Sequence, residues 1–381
     1  MAILTQRALQ PGERIRVLVV DDSVVIRSLV THALEQDPLL QVVGTASNGA
    51  IALKRIPQLN PDVITLDIEM PEMDGLETLR HVHRDYPSTR VVMFSTLTER
   101  GVAVTLEALS LGADDYVTKA SNEGSMERSL ERLRGELVPK IRQFFRIGGS
   151  EKKEAHLPAP TDHGTSTLAS RLSGAQAPAS LLRPPPKLKM RPRAVLIGVS
   201  TGGPNALSAI LPSLPAHFPL PVLLVQHMPP LFTRLLSERL NASCRLPVAE
   251  ATQGELVGPG KILIAPGDFH MKLVPGGDGV RICLDQAPPL NSCRPAVDAL
   301  FSSAGEAYAG SVIAVVLTGM GQDGLRGAEI LKARGAYILA QDQETSVVWG
   351  MPGAIASAGL ADRILPLDQV IPEILSAAGL A

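Results

Sequence analysis

The strongest constraint on this chain is the recurrence of short, almost wholly apolar runs that end on polar or acidic residues and then give way to amphipathic stretches. From Arg16 to about Phe145 the runs RVLVVDD, QVVGTAS, DVITLDI, RVVMFST and DYVTKA alternate with helical patterns beginning near Ser23, Gly49, Asp74, Glu99 and Gly124. Runs that are apolar on both faces suit strands buried between helices, and regular strand–helix alternation predicts a doubly wound parallel sheet. Aromatic residues make up only 3% of the chain against 45% hydrophobic overall, so the cores must be packed from Val, Leu, Ile and Ala.

The alternation stops between about Ile147 and Arg193, where Pro, Ser, Ala and Gly dominate in APAPTDHGTSTLASRLSGAQAPAS and RPPPKLKMRPR. Such a stretch reads as an extended linker. Alternation resumes at Ala194 with AVLIGVS, PVLLVQHM, KILIAP, MKLVPG, VRICLD, SVIAVVLTGM and AYILAQD. Helical patterns follow the first, second, sixth and seventh of these, and PGGDG between MKLVPG and VRICLD predicts a β-hairpin attached to a mostly parallel sheet. The expected organisation is therefore α/β throughout. A flavodoxin-like domain spans residues 14–135, a helix end and Pro-rich linker spans 136–192, and a Rossmann-like domain with a β-hairpin spans 193–381.

A chain of 381 residues fits two such domains. A net charge of −2 gives no global reason to expect nucleic acid or an anionic membrane as partner. Cys244, Cys283 and Cys293 lie far apart, fitting neither a disulfide framework nor a zinc site, so a reducing cytoplasm is the expected home. No apolar run is long enough for a leader or a membrane span.

Chemistry gathers at strand ends. Asp21 and Asp22 end the first strand, Asp67 the third, Ser95 and Thr96 the fourth and Lys119 the fifth. Ligands of parallel α/β sheets bind at the carboxyl ends of strands, near the point where strand order reverses. Three carboxylates brought together there repel one another unless a cation neutralises them, and hard oxygen donors suit Mg²⁺. Asp67 is then the candidate nucleophile toward a phosphoryl group, with Lys119 pairing the phosphate and Ser95 donating to it. Taken singly, Asp21, Asp22 and Ser23 also fit helix capping.

In the second domain Ser200 ends AVLIGVS and precedes TGGPNAL, so that GVSTG fits G-x-S-x-G at a strand–helix turn. The helix N-terminus offers N–H groups to an oxyanion, although the same arrangement also binds phosphates. His227 ends PVLLVQHM, adjacent to Ser200 if the two strands are neighbours, and is the candidate general base; His270 in PGDFHM is its rival. Asp323 in LTGMGQDG follows an apolar strand and is placed to orient a histidine. Gly319, Gly321 and Gly324 also spell G-x-G-x-x-G, with Asp342 beyond, so a dinucleotide site competes on pattern, as does a non-catalytic output module. Against the dinucleotide, Asp323 would put a negative charge inside the phosphate loop.

Two resemblances sharpen these alternatives. VVDDS, LDIEMPEMDG, FST and YVTKA make residues 14–135 similar to response-regulator receivers, which implies phosphorylation of Asp67 by a histidine kinase and a switch role for Tyr116. Ala120 departs from the proline usual in that family. GVSTGGP, VQHMPPLFT, IAPGDFHM, SCRPAVDALF, LTGMGQDG and VVWGMPGA, in that order over residues 194–360, resemble chemotaxis protein-glutamate methylesterases. This resemblance implies Ser200 as nucleophile, His227 as base and Asp323 as its partner. It also implies that Thr201 and Met320 line the site and that methyl-accepting chemoreceptors are the substrates, with no cofactor in this domain and no membrane insertion. Arg294, Trp349 and Met351 lie in further matching motifs, where upkeep of the fold explains them as well as substrate contact does.

Overall fold

The computed structural model describes residues 7–119, 126–147 and 191–380. The departure at Ala120, the helix start near Gly124 and most of the linker lie outside these residues. A short strand β1 (Arg7–Leu9) is followed by β2 (Ile15–Val20), α1 (Val24–Glu35), β3 (Leu40–Ala46), α2 (Gly49–Leu59), β4 (Val63–Asp67) and α3 (Gly75–Asp85). Then come β5 (Arg90–Ser95), α4 (Glu99–Ser110), β6 (Asp115–Thr118), α5 (Met126–Arg142) and β7 (Phe145–Ile147). β1 and β7 pair in parallel apart from the main sheet, a pairing too short to stand out in the sequence. The main sheet is entirely parallel, in the order β3-β2-β4-β5-β6.

Alternation along β2 shows why its apolar run is continuous. Ile15, Val17 and Val19 pack with Val30, Ala33 and Leu34 of α1 and with Leu137 and Ile141 of α5. Leu18 and Val20 point the other way, into a core with α2, α3 and α4. Both faces are covered, so neither tolerates polar residues. Helix starts follow capping chemistry: the side chains of Ser23, Asn48, Asp74 and Thr98 accept the N–H groups of Ile26, Ile51, Glu77 and Gly101.

The second half runs β8 (Ala194–Val199), α6 (Gly203–Ile210), β9 (Val222–Gln226), α7 (Pro230–Ser243), β10 (Val248–Glu250), β11 (Ile262–Ile264), β12 (His270–Gly276) and β13 (Gly279–Asp285). It continues with α8 (Val297–Ala307), β14 (Val312–Val316), α9 (Leu325–Ala333), β15 (Tyr337–Gln341), α10 (Met351–Ser357), β16 (Arg363–Leu365) and α11 (Val370–Ala377). Its seven-stranded sheet has the order β10-β11-β9-β8-β14-β15-β16 and every pair is parallel. The hairpin β12–β13 forms as expected, but as a sheet of its own rather than attached to the parallel one. Met271, Leu273, Val280 and Ile282 of the hairpin bury against the α8 core instead. The edge strands β10 and β16 are three residues each, too short for their apolar pattern to be read.

Strand order reverses at β8, whose neighbours are β9 on one side and β14 on the other. The carboxyl ends of these three adjacent strands lead to His227, Ser200 and Asp323.

The two halves share a core. Leu109, Ala113 and Tyr116 belong to the same buried cluster as Leu207, Phe232 and Leu236. The Tyr116 ring stacks on Phe232 with centroids 4.3 Å apart and planes inclined by 15°, a geometry worth roughly 0.5–1.5 kcal/mol beyond the area it buries. Asn205 Nδ2 donates to the carbonyl of Leu109 at 2.6 Å, and Arg234 of α7 pairs with Glu99 of α4.

Candidate functional site

Two sites lie at strand ends, one in each half. In the first, Asp21 and Asp67 are buried and Asp22 is exposed, and one ligand oxygen from each lies within 4.8 Å of the others. Lys119 Nζ reaches Asp67 Oδ2 at 2.7 Å and Asp21 Oδ2 at 2.9 Å. Asp67 Oδ1 accepts the N–H of Ile68, and Asp21 Oδ1 that of Ser23. The capping and clustering readings of DDS thus both hold: Ser23 is the cap, while Asp21 faces the pocket. Gly75 lets α3 start against this strand end, since a Cβ there would sit 2.1 Å from the carbonyl oxygen of Asp67. Burial drives the pKa of Asp67 up to about 6; Lys119 opposes the shift and the Asp21 charge adds to it. Carboxylates so placed have too little positive charge beside them, which is the condition a hard divalent cation relieves.

Ser95 departs from expectation. Its hydroxyl is fully buried and turned to α4, donating toward the carbonyls of Thr96 and Gly101 and accepting from Thr105 Oγ1 at 2.5 Å. Thr96, and not Ser95, lines the pocket with Asp22, Asp67 and Lys119. Tyr116 is fixed between Phe232 and Lys140, whose ammonium lies 4.8 Å from the ring centroid.

The second site is a cleft of about 450 Å³ lined by Ser200, Thr201, His227, Asn291, Cys293, Met320 and Asp323. Its far wall comes from the first half of the chain: Leu109, Asp115, Tyr116 and Lys140. Asp323 is 2% exposed and fully satisfied. Its Oδ2 accepts from His227 Nε2 at 2.8 Å and Val297 N at 2.6 Å. Its Oδ1 accepts from Asn291 Nδ2, Asp298 N and Gly324 N at 2.9, 3.1 and 3.0 Å. Although burial raises its pKa, these donors, His227 foremost, lower it overall. For His227, burial disfavours the charged ring, but hydrogen bonds to Asp323 and Cys293 outweigh it and bring the pKa to about 10. The linkage has a definite sign: a histidine raised from 6.5 to about 10 contributes stability that is fully present below pH 6.5 and lost as pH rises through about 10.

Ser200 closes the strand as expected. Its N–H donates to Thr318 O at 3.0 Å, and its carbonyl accepts from Gly203 N and Gln226 Nε2. The Ser200 N–H is therefore spent and leaves none for an oxyanion. Gly319 permits the approach of the two strand ends, because a Cβ there would lie 2.7 Å from Ser200 Cβ. The expected hydrogen bond from Ser200 Oγ to His227 is not formed among the described residues. The ring atom facing away from Asp323, Nδ1, instead meets Cys293 Sγ at 3.5 Å. Thr201 is also engaged elsewhere, donating from Oγ1 to Asp115 Oδ2 of the first half at 2.9 Å.

The rivals take structural places. His270 is fully buried with Nε2 on the carbonyl of Pro288, outside the cleft. Asp342 accepts from the N–H and hydroxyl of Thr345, closing a turn. In the glycine-rich loop of the dinucleotide pattern, Gly319 N donates to Val348 O and Gly324 N to the Asp323 carboxylate, so both are engaged within the protein. Arg294 pairs with Asp268 and donates to the carbonyls of Gln286 and Ala287, Trp349 Nε1 donates to Gln341 O, and Met351 is buried. Sequence reasoning passed over Gln226, Asn291 and Cys293. Gln226 left a signal, a buried polar residue closing an apolar strand. Asn291 left none beyond lying beside the matched SCRPAVDALF stretch, and Cys293 none beyond lying within it.

Residues 195–374 match the family model for CheB methylesterase, and residues 17–131 that for the response regulator receiver domain. The chain is 47% identical over 366 residues to the protein-glutamate methylesterase/protein-glutamine glutaminase of Trichodesmium erythraeum, covering 96% of this chain and 99% of that one. It is 50% identical over 365 residues to the protein of the same name from Nocardioides sp., covering 96% and 95%. Among solved structures, the CheB methylesterase catalytic domain of Thermotoga maritima is 46% identical, covers 50% of this chain and 100% of its own, and gives a TM-score of 0.48. The chain belongs to the family of receiver-linked protein-glutamate methylesterases/protein-glutamine glutaminases.

Proposed function

We propose that this protein hydrolyses γ-methyl esters of glutamate side chains on methyl-accepting chemoreceptors, and deamidates glutamine side chains there, with Ser200, His227 and Asp323 as its catalytic triad. The observation that carries the residue assignment is their convergence: Ser200 and His227 directly follow the neighbouring strands β8 and β9, Asp323 lies on the loop after β14 on the other side of β8, and all three line one cleft. Once His227 has given up the proton that Asp323 and Cys293 hold on it in the resting arrangement, Ser200 Oγ attacks the ester carbonyl carbon as its own proton passes to the neutral ring. The tetrahedral oxyanion collapses, the C–O bond to the methoxy group breaks, and His227 returns the proton to departing methanol. Water attacks the glutamyl-enzyme by the same route and restores the carboxylate; with glutamine, ammonia leaves instead. Because the Ser200 N–H is already bonded, the backbone N–H groups of Thr201 and Met320 are the oxyanion donors in this reading. Asp323, held by five donors, keeps the His227 tautomer and stabilises the imidazolium.

The arrangement described is a resting one. His227 Nδ1 is occupied by Cys293, and the cleft is walled by the receiver. Phosphorylation of Asp67 by a histidine kinase releases it. Asp21, Asp22 and Asp67 would hold Mg²⁺, which neutralises charge at the phosphoryl group. Lys119 exchanges its carboxylate partners for the phosphate, and Ser95 turns toward it, giving up Thr105 and Gly101 of α4. α4 carries Glu99 and Leu109, both bonded across the interface, and Tyr116 on the neighbouring strand carries the stack on Phe232. Moving such a pair of states from 1:99 to 99:1 takes about 5.5 kcal/mol of differential stabilisation. Labelling with a fluorophosphonate ester tests the assignment. Adduct should form on Ser200, faster with phosphodonor and absent in Ser200→Ala; adduct on another residue at an undiminished rate in that variant would defeat it.

A further inference from the structure

Leu290 and Cys293 bridge one another through both backbone hydrogen bonds, at 3.1 and 2.8 Å, enclosing Asn291 and Ser292 at φ +50° and +63°. A two-residue turn with both central residues left-handed favours Asn, which tolerates that backbone where most residues are strained. The turn delivers Asn291 between two buried carboxylates. Its Nδ2 lies 2.9 Å from Asp323 Oδ1 and 2.9 Å from Asp298 Oδ2, so that each amide hydrogen serves one of them. Asp298 is otherwise held by Gly327 N at 2.7 Å, and its own N–H binds Asp323. The two acids are 6% and 2% exposed, and nothing cationic except His227 contacts either of them among the described residues.

We propose that Asn291 is a positioning residue of the esterase: its amide bridges Asp298 and Asp323, fixing the carboxylate that orients His227 and offsetting repulsion from the second acid. Asn291 does not act on substrate; it acts through Asp323. The inference rests on the triad reading above but makes a separate demand, that the titration of His227 depend on a side chain it does not touch. Replacing the amide by a carboxyl group of the same shape leaves at most one donor, and once ionised it leaves none and adds negative potential behind Asp323. The imidazolium then becomes easier to form, and the neutral base is available only at higher pH.

The test uses full-length protein. Imidazole titration of His227 is followed by NMR in Ser200→Ala and in Ser200→Ala combined with Asn291→Asp or Asn291→Ala. Methanol release from methylated receptor membranes with phosphodonor is followed across pH for wild type, Asn291→Asp and Asn291→Ala. The expected result is a His227 midpoint raised by about one pH unit in Asn291→Asp and by less in Asn291→Ala. The acid limb of kcat should move the same way, with kcat about tenfold lower at neutral pH and KM within about twofold. An unmoved midpoint in both variants, or a loss of activity that follows thermal stability alone, overturns the proposal. If Asn291→Asp does not fold, the Asn291→Ala midpoint decides. Failure of the triad reading itself shows differently, as methanol release that survives in Ser200→Ala.

Discussion

The two strand-end sites share an architecture and differ in how their charge is balanced. In the receiver, Asp21, Asp22 and Asp67 face one ammonium, and burial lifts Asp67 to about 6. In the esterase cleft, Asp323 takes five hydrogen bonds and its pKa falls. The first is a site with charge left to be neutralised, suited to a ligand that arrives and departs. The second already has its hydrogen bonds complete, as the orienting role proposed for Asp323 requires. What remains unfinished in the cleft is the Ser200–His227 contact, the one step that a moving receiver would control.

Removing each carboxylate should therefore give opposite results. Asp323→Asn keeps the shape, imposes the wrong tautomer on His227 and should lower kcat on the order of 10⁴-fold; a loss under tenfold would remove Asp323 from the mechanism. Asp67→Asn should abolish activation by phosphodonor while leaving basal methanol release intact, and should stabilise the fold. The sign follows from the shift. An acid raised from 3.8 to about 6 favours folding fully below pH 3.8, and that contribution is lost as pH rises through 6. At pH 8 the variant should gain on the order of 3 kcal/mol in denaturant titrations. The gain should vanish near pH 4, and Mg²⁺ should erase it by stabilising wild type; no gain at pH 8 would break the contrast between the sites.

Smaller effects probe the connection. Thr105→Val removes the hydroxyl that holds Ser95 to α4 and should reduce the ratio of stimulated to basal rate severalfold. Arg234→Ala removes a half-exposed pair with Glu99 worth at most about 1 kcal/mol, so basal activity should rise no more than about fivefold, and only at low salt.

The sequence made the strand ends legible because buried parallel strands write themselves as unbroken apolar runs, and the residue after each run must lie at the sheet's carboxyl edge. That logic reached Asp21, Asp67, Lys119, Ser200 and His227, while Asp323 lies further on, in the loop between β14 and α9. The same logic could not reach Asn291 or Cys293, which lie on a turn between elements, where no periodicity operates and only the fold brings them to Asp323 and His227. Nor could it give the orientation of Ser95 or Thr201, since a hydroxyl at a strand end chooses among partners from other elements. Their choices, Thr105 and Asp115, depend on how α4 and the second domain are docked. The hairpin forms as its turn residues require, but its detachment from the parallel sheet was not legible for a related reason: turn chemistry predicts pairing within β12–β13 but not which core its apolar face will join.

The most direct test is methanol release from methylated receptor membranes by wild-type protein and Ser200→Ala, each with and without phosphodonor. Slow basal release that accelerates severalfold with phosphodonor in wild type, and none in Ser200→Ala under either condition, is the predicted result. Release by Ser200→Ala at a rate comparable to wild type would contradict the account.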